Sequence, residues 1–226
     1  MIPWILLDTA KIPGDRGDLR LKRRGAEFSI MLGSNELMNS RLSGSEEALA
    51  RLTCLQLRGR KHPRILIGGL GMGFTLRAAL AELGADAQVT VAELVPAVVA
   101  WARGPMADVF GDSLTDPRVS IVEGDVGALI RSSRSSYDGI LLDVDNGPEG
   151  LTRKTNDSLY DLAGLSSART ALTPGGVFAV WSSAPNRAFT QRLRKAGFGV
   201  DEVNARAHGT RGGARHTLWI ATKQGG

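Results

Sequence analysis

A chain of 226 residues, 42% hydrophobic and 23% charged, holds one α/β domain with a small extension and is too short for two enzyme-sized domains. That composition also excludes a disordered, collagen-like or coiled-coil protein. The net charge of +5 is unevenly spread: 12 Lys and Arg face 7 Asp and Glu over residues 1–64, 8 face 14 over 65–184, and 8 face 2 over 185–226. An acidic middle argues against a general nucleic-acid binder, so a nucleic-acid partner is not expected, although the basic ends keep an RNA substrate as an alternative that salt dependence tests. The run Ile2–Leu7 has no basic residue before it and no small-residue cleavage site after it. We therefore expect no signal peptide, and no other stretch approaches the ~20 apolar residues of a membrane span. Cys54 is the only cysteine and reads as a small buried hydrophobe in a cytoplasmic protein.

In chain order, Leu19–Arg23 and Glu27–Met31 read as two strands joined at Arg24-Gly25, where Gly25 can take a positive φ. Ser43-Gly44-Ser45-Glu46 fits a capping box, with Ser43 as N-cap of a helix that buries Ala48, Leu49, Leu52 and Leu55. His62-Pro63 closes this part, giving an N-terminal extension over residues 1–62 and a nucleoside-binding domain over 63–226. From Arg64 onward strands and helices alternate. Ile65–Gly68, Val89–Glu93, Val119–Glu123, Gly139–Asp143 and Val177–Ser182 read as strands. Helices are expected at Thr75–Leu83, Pro96–Arg103, Asp157–Leu172 and Ala188–Ala196. Alternation of this kind makes a parallel sheet wound on both faces. Gly199–Ala205 and His216–Thr222, joined through the short Gly209–Gly213 turn, must run antiparallel. The fold class is thus α/β: a Rossmann-like, doubly wound, seven-stranded sheet with an antiparallel last strand and an N-terminal β-hairpin extension.

The chemistry concentrates at the carboxyl ends of these strands. Gly68-Gly69-Leu70-Gly71-Met72-Gly73 joins the first strand to its helix, and Gly69, Gly71 and Gly73 allow a tight turn and close approach of a ligand. Glu93 ends the next strand, where a carboxylate can accept from both ribose hydroxyls of a nucleoside; a solvated strand end is the plainer alternative. Gly124-Asp125 ends the third strand, where Asp125 either accepts from an adenine amine or caps a loop. Asp143 emerges after the apolar run Ile140–Leu142, followed by Asp145 and Asn146. A carboxylate pair there can hold a cationic amine or accept its proton, whereas an Asp/Asn turn before Gly147-Pro148 is the structural alternative. Glu36–Arg41 can fold over the mouth of such a pocket, and Trp181 ends the fifth strand where it can line it. The methionines Met31, Met38, Met72 and Met106 read as packing residues, and His62, His208 and His216 show no partnered spacing.

Taken together, the glycine loop, Glu93, Gly124-Asp125 and Tyr137-Asp138…Asp143 resemble the class I S-adenosylmethionine-dependent fold, specifically its spermidine synthase-like (polyamine aminopropyltransferase) branch, over roughly residues 19–222. The resemblance implies that Glu93 holds the ribose, Asp125 the adenine, the loop glycines the methionine-derived tail, and that Asp143 takes up the proton of an attacking amine. Pro174-Gly175-Gly176 resembles the turn before strand five. Three departures stand out. Gly71 occupies the place of the acid that binds the free amine of decarboxylated S-adenosylmethionine, Asn146 occupies the place of a second aspartate, and Gly44-Ser45-Glu46-Glu47 replaces a tyrosine-histidine-glutamate element. The expected function is therefore a transferase with an S-adenosylmethionine-type sulfonium donor and a small-molecule acceptor, needing no metal. Methyl transfer is placed ahead of aminopropyl transfer to a diamine, with a non-catalytic nucleoside-binding scaffold as a further alternative. A homodimer formed partly through residues 19–42 is expected, because a hairpin edge needs pairing or covering.

Overall fold

Strands β2 (Asp18–Arg24) and β3 (Glu27–Leu32) meet at the expected turn, where Gly25 adopts φ +60°. A computed structural model describes them together with the rest of residues 2–14, 17–144, 148, 158–208 and 212–225. Asp145, Asn146, Asp157 at the start of the expected helix, and residues 209–211 of the expected Gly209–Gly213 turn lie outside the described residues. The hairpin is the centre of a four-stranded antiparallel sheet in which β1 (Ile5–Lys11) pairs along β2 and β4 (Asn35–Asn39) along β3. β1 was invisible to periodicity because Ile5, Leu6 and Leu7 are all exposed, and it owes its conformation to the backbone ladder rather than to burial. With both hairpin edges paired, the free edges of this sheet are β1 and β4.

Helix α1 (Gly44–Gln56) follows. The side chain of Ser43 makes no cap hydrogen bond, so the capping box is not formed. Glu46 instead accepts from the hydroxyl of its neighbour Ser45 at 2.6 Å. The buried stripe of α1 is Ser45, Leu49, Ala50, Thr53 and Cys54. Leu55 falls on the opposite side of that stripe and is 46% exposed, contrary to the expected buried set. Cys54 is buried as expected, and desolvation pushes its thiol up to about 12.

The large sheet contains seven strands: β5 (Arg64–Gly68), β6 (Gln88–Glu93), β7 (Val119–Glu123), β8 (Tyr137–Leu142), β9 (Leu172–Ser182), β10 (Phe198–Arg206) and β11 (Arg215–Lys223). Their order is β10-β11-β9-β8-β5-β6-β7. β5 to β9 are parallel, and β11 is antiparallel to both of its neighbours. Side chains along each central strand alternate between two cores. Ile65, Ile67 and Leu141 face α1, α2 (Phe74–Glu82), α3 (Pro96–Arg103) and the small sheet, while Leu66, Ile140 and Leu142 face the helices of the other side. Those helices are α5 (Val126–Ser132), α6 (Leu162–Ala171) and α7 (Arg187–Lys195). The short α4 (Ala107–Phe110) follows α3. Pro174-Gly175-Gly176 forms a bulge within β9, with Gly175 at φ +65° and Arg60 donating to the Pro174 carbonyl at 2.8 Å.

Asp138 pins the amino end of β8. It accepts from Arg60 Nη1 at 2.7 Å, the Arg64 backbone N–H at 2.9 Å and Thr173 Oγ1 at 2.7 Å. Burial alone would raise its pKa, but these donors hold it below the usual carboxylate value. The chain winds from β5 outward through β6 to β7, then returns to add β8 on the other side. Ligands of open α/β sheets bind at such a reversal, outside the carboxyl ends of the strands. Among the described residues no helix is long and apolar enough to cross a membrane.

Candidate functional site

Two adjoining hollows open at this reversal, and they share Leu37, Met38, Gly71 and Asp143. The floor is the glycine loop. Gly69 sits at φ +90°, and a Cβ there would lie 2.5 Å from the Asp143 carbonyl oxygen, so the ends of β5 and β8 can approach this closely only with glycine. Gly73, the left-handed N-cap of α2, would place a Cβ 2.4 Å from the buried Phe110 ring. Both positions shape the loop; Gly71, at φ +50°, faces Met38 Sδ.

The first hollow is lined by Glu93, Gly124, Asp125 and Val126, together with apolar side chains of the small sheet. Glu93 is 8% exposed, and its two oxygens accept from the Leu70 and Val95 backbone N–H groups, each at 2.9 Å. Desolvation pushes its pKa up against these hydrogen bonds. The Gly71 and Leu94 backbone N–H groups act on it as well, so four backbone donors surround this carboxylate. Asp125 is the N-cap of α5: its oxygens accept from Gly127 N at 2.9 Å and Ala128 N at 3.1 Å, and Arg131 pairs with it at 3.1 Å. The capping alternative is thus realised, on a residue that also borders the hollow.

The second hollow brings Asp143 and Glu46 together with Gly71, Met72, Asn39 and Trp181. Asp143 follows β8 directly, its N–H held by the Gly68 carbonyl at 3.0 Å. Thr75 Oγ1 donates to Asp143 Oδ2 at 2.8 Å. Burial, reinforced by repulsion from Glu46, pushes Asp143 up to about 7. Burial raises Glu46 as well, against the hydrogen bond from Ser45. Two carboxyls in this condition favour a cation that enters beside them, because its charge offsets their repulsion and their desolvation. Leu37, Met38 and Asn39, within the segment Glu36–Arg41 expected at the mouth, line this hollow, whereas Arg41 is engaged by Glu36 at 3.1 Å. Asp145 is outside the described residues.

Local sequence reasoning missed Glu46, read as half of a capping box, and Thr75. The signal for Glu46 was the second acid at the start of α1, Glu47, which repels it and has its own partner in Arg51 at 2.5 Å. Met72 and Met106 are buried packing residues as expected, while Met38 borders both hollows.

No family model matches the chain. Curated relatives are polyamine aminopropyltransferases. One from Streptomyces coelicolor is 34% identical over 127 residues, 55% of this chain and 23% of that protein. One from Mycobacterium tuberculosis is 32% identical over 146 residues, 60% of this chain and 27% of that protein. A third, from Korarchaeum cryptofilum, is 30% identical over 152 residues, 66% of this chain and 44% of that protein. The matched stretch therefore spans about a quarter of the first two relatives and under half of the third. Among solved structures, a spermidine synthase in complex with the transition state analogue AdoDATO aligns with a TM-score of 0.75 at 17% identity, over 96% of this chain and 72% of that one. The spermidine synthase from Thermotoga maritima aligns with a TM-score of 0.74 at 18% identity, with the same coverage. The chain has the spermidine synthase fold. Its sequence likeness is to the polyamine aminopropyltransferases, and the spermidine synthase-like resemblance holds in both comparisons. Methyl transfer, placed first from the sequence, finds no support among these relatives. Its premise was that no acid replaces the one missing at Gly71, yet α1 delivers Glu46 to the same hollow.

Proposed function

We propose that the chain is an aminopropyltransferase that uses decarboxylated S-adenosylmethionine and a small diamine acceptor. The observation that carries this reading is the Glu46–Asp143 acid pair facing the glycine loop in a hollow continuous with the Glu93 hollow. An intact S-adenosylmethionine would bring a carboxylate towards this pair, whereas the decarboxylated donor and a diamine bring only cationic amines. At about 4 Å, the difference between attraction and repulsion of unit charges is several kcal/mol at an effective dielectric near 20.

Such a donor supplies a carbon beside a sulfonium, whose C–S bond breaks with its electron pair going to sulfur as the amine nitrogen attacks. Glu93, which lines the first hollow, accepts from the ribose hydroxyls. Gly124 and Asp125 border the base, and Gly69, Gly71 and Gly73 let the tail lie against the loop. Asp143 takes the proton that the amine loses. A carboxyl that titrates near 7 suits that role at neutral pH, and Thr75 fixes the oxygen at which it acts. Glu46 holds the remaining ammonium. Residues Leu37–Asn39 and Trp181 exclude water, and the enzyme's main contribution is alignment of nitrogen, carbon and sulfur. The single buried thiol suits a reducing compartment such as the cytoplasm.

The test is incubation with putrescine and either donor, followed by chromatography. Spermidine and methylthioadenosine from the decarboxylated donor are expected. A methylated product from intact S-adenosylmethionine, or tight donor binding without any product, overturns the proposal, the latter in favour of a binding scaffold.

A further inference from the structure

Ser45 is fully buried, and its hydroxyl is where three elements meet. Its Oγ lies 2.6 Å from Glu46 Oε2, 2.8 Å from His216 Nδ1 and 3.0 Å from Trp181 Nε1. These groups come from α1, β11 and β9, and the His216 and Trp181 rings pack edge to face with centroids 4.7 Å apart. An indole N–H can only donate, so Trp181 always fills one lone pair of Ser45. The hydroxyl then has one lone pair and one hydrogen left, to be divided between Glu46 and His216.

Two divisions satisfy every group. With Glu46 ionised, Ser45 donates to its carboxylate and accepts from a hydrogen on His216 Nδ1. With Glu46 protonated, the carboxyl donates to Ser45, and Ser45 donates to a bare Nδ1. Passing from the second state to the first breaks the Glu46 O–H bond and forms a new Ser45 O–H bond, while the former Ser45 hydrogen bonds to Nδ1. The imidazolium so formed returns to neutrality by losing its Nε2 hydrogen to solvent. One proton has then left Glu46, and Ser45 is unchanged.

We propose that Ser45 and His216 are the proton exit of the Glu46–Asp143 acid pair. This rests on the proposed reaction for the source of the proton, because transfer leaves one extra proton on that pair. The link between Glu46 and His216 stands on the hydroxyl geometry alone. Of the charged groups on the elements packed against His216, Glu46 on α1 meets it through Ser45, while Arg215 is next to it on its own strand and Arg206 pairs with Arg215 in the ladder. β10 places the uncharged Ala205 directly opposite the ring. Among the described residues, the hydrogen bond to Ser45 is the ring's link to any of these charges. Burial lowers the pKa of His216, so near neutrality the ring is uncharged and able to accept.

Nuclear magnetic resonance of the His216 ring nitrogens in the substrate-free protein decides the link. In the wild type at about pH 9, above the carboxylate range, the hydrogen should reside on Nδ1. The ring's titration midpoint should move by about half a unit or more in both Ser45→Ala and Glu46→Gln. A hydrogen on Nε2 at that pH, or one midpoint shared by all three proteins, overturns the proposal. The wild-type tautomer alone is decisive if a variant fails to fold. With putrescine and decarboxylated S-adenosylmethionine, His216→Ala should lower kcat more than it raises KM, and added imidazole should restore turnover. Turnover unchanged by His216→Ala also overturns the exit. Absence of turnover in the wild type refutes the reaction, while the resonance measurement still decides the relay.

Discussion

Asp143→Asn should stabilise the protein, and it should do so only at higher pH. In the folded chain Asp143 titrates near 7 because its carboxyl is desolvated and faces Glu46, while an unfolded aspartate titrates near 4. Its folded value is raised. Its contribution is therefore fully retained below the unfolded pKa and is lost as pH rises towards the folded one. The full shift of roughly three units corresponds to about 4 kcal/mol, of which about 2–3 kcal/mol develops between pH 5 and pH 8 in a single-site treatment. Electrostatic interaction with Glu46, which titrates together with it, and screening through the mouth of the hollow reduce this, so about 1–3 kcal/mol is the expected range. Asparagine keeps the shape and its side-chain oxygen can still accept from Thr75, so the variant should not show this loss. Urea denaturation of both proteins at the two pH values measures it: the variant's advantage should grow from pH 5 to pH 8, while turnover falls. An equal difference at both pH values, or a variant less stable at pH 8, refutes an electrostatically strained Asp143.

Three further outcomes follow from the same geometry. Glu93→Gln should weaken binding of methylthioadenosine by roughly 1.5–3 kcal/mol, as for lost hydrogen bonds to a charged group, and calorimetry showing unchanged affinity removes Glu93 from the site. Asn186→Ala should cost about 1 kcal/mol in thermal or urea unfolding, because its side chain caps α7 through Phe189 N at 2.8 Å, whereas Ser43→Ala, lacking any cap bond, should cost little; equal losses contradict the two capping assignments. A homodimer involving the small sheet is expected by light scattering at roughly tens of micromolar, with Leu6→Lys on the exposed face of β1 weakening it; a monomeric wild type rejects that interface.

Much of the fold was legible because it is written in short-range rules. Apolar runs bounded by glycine and proline marked β5, β6, β8 and β9, and Gly25 marked its turn. The closing pair of strands, joined by a short turn, had to be antiparallel. These signals arise from backbone sterics and burial within a few residues of one another. β1 and β4 lack such signals, since one is almost wholly exposed and the other is a five-residue edge, so pairing with β2 and β3 decides them. Asp125 was legible as a choice between ligand and cap, and its N–H partners identify the cap without removing it from the hollow.

By itself the sequence determined the winding of the large sheet, and with it the placing of the glycine loop, Glu93 and Asp143 at one edge. A strand that ends in an acid must present it at its carboxyl end, whatever the rest of the chain does. Tertiary structure alone decided that Glu46, far from Asp143 in the chain, shares its hollow, and that Ser45 of α1, Trp181 of β9 and His216 of β11 meet at one hydroxyl. Capping rules consider contacts within one turn and so assigned Glu46 to its own helix. Charge repulsion and desolvation act through space between elements, and they exist only once α1 has packed across the sheet.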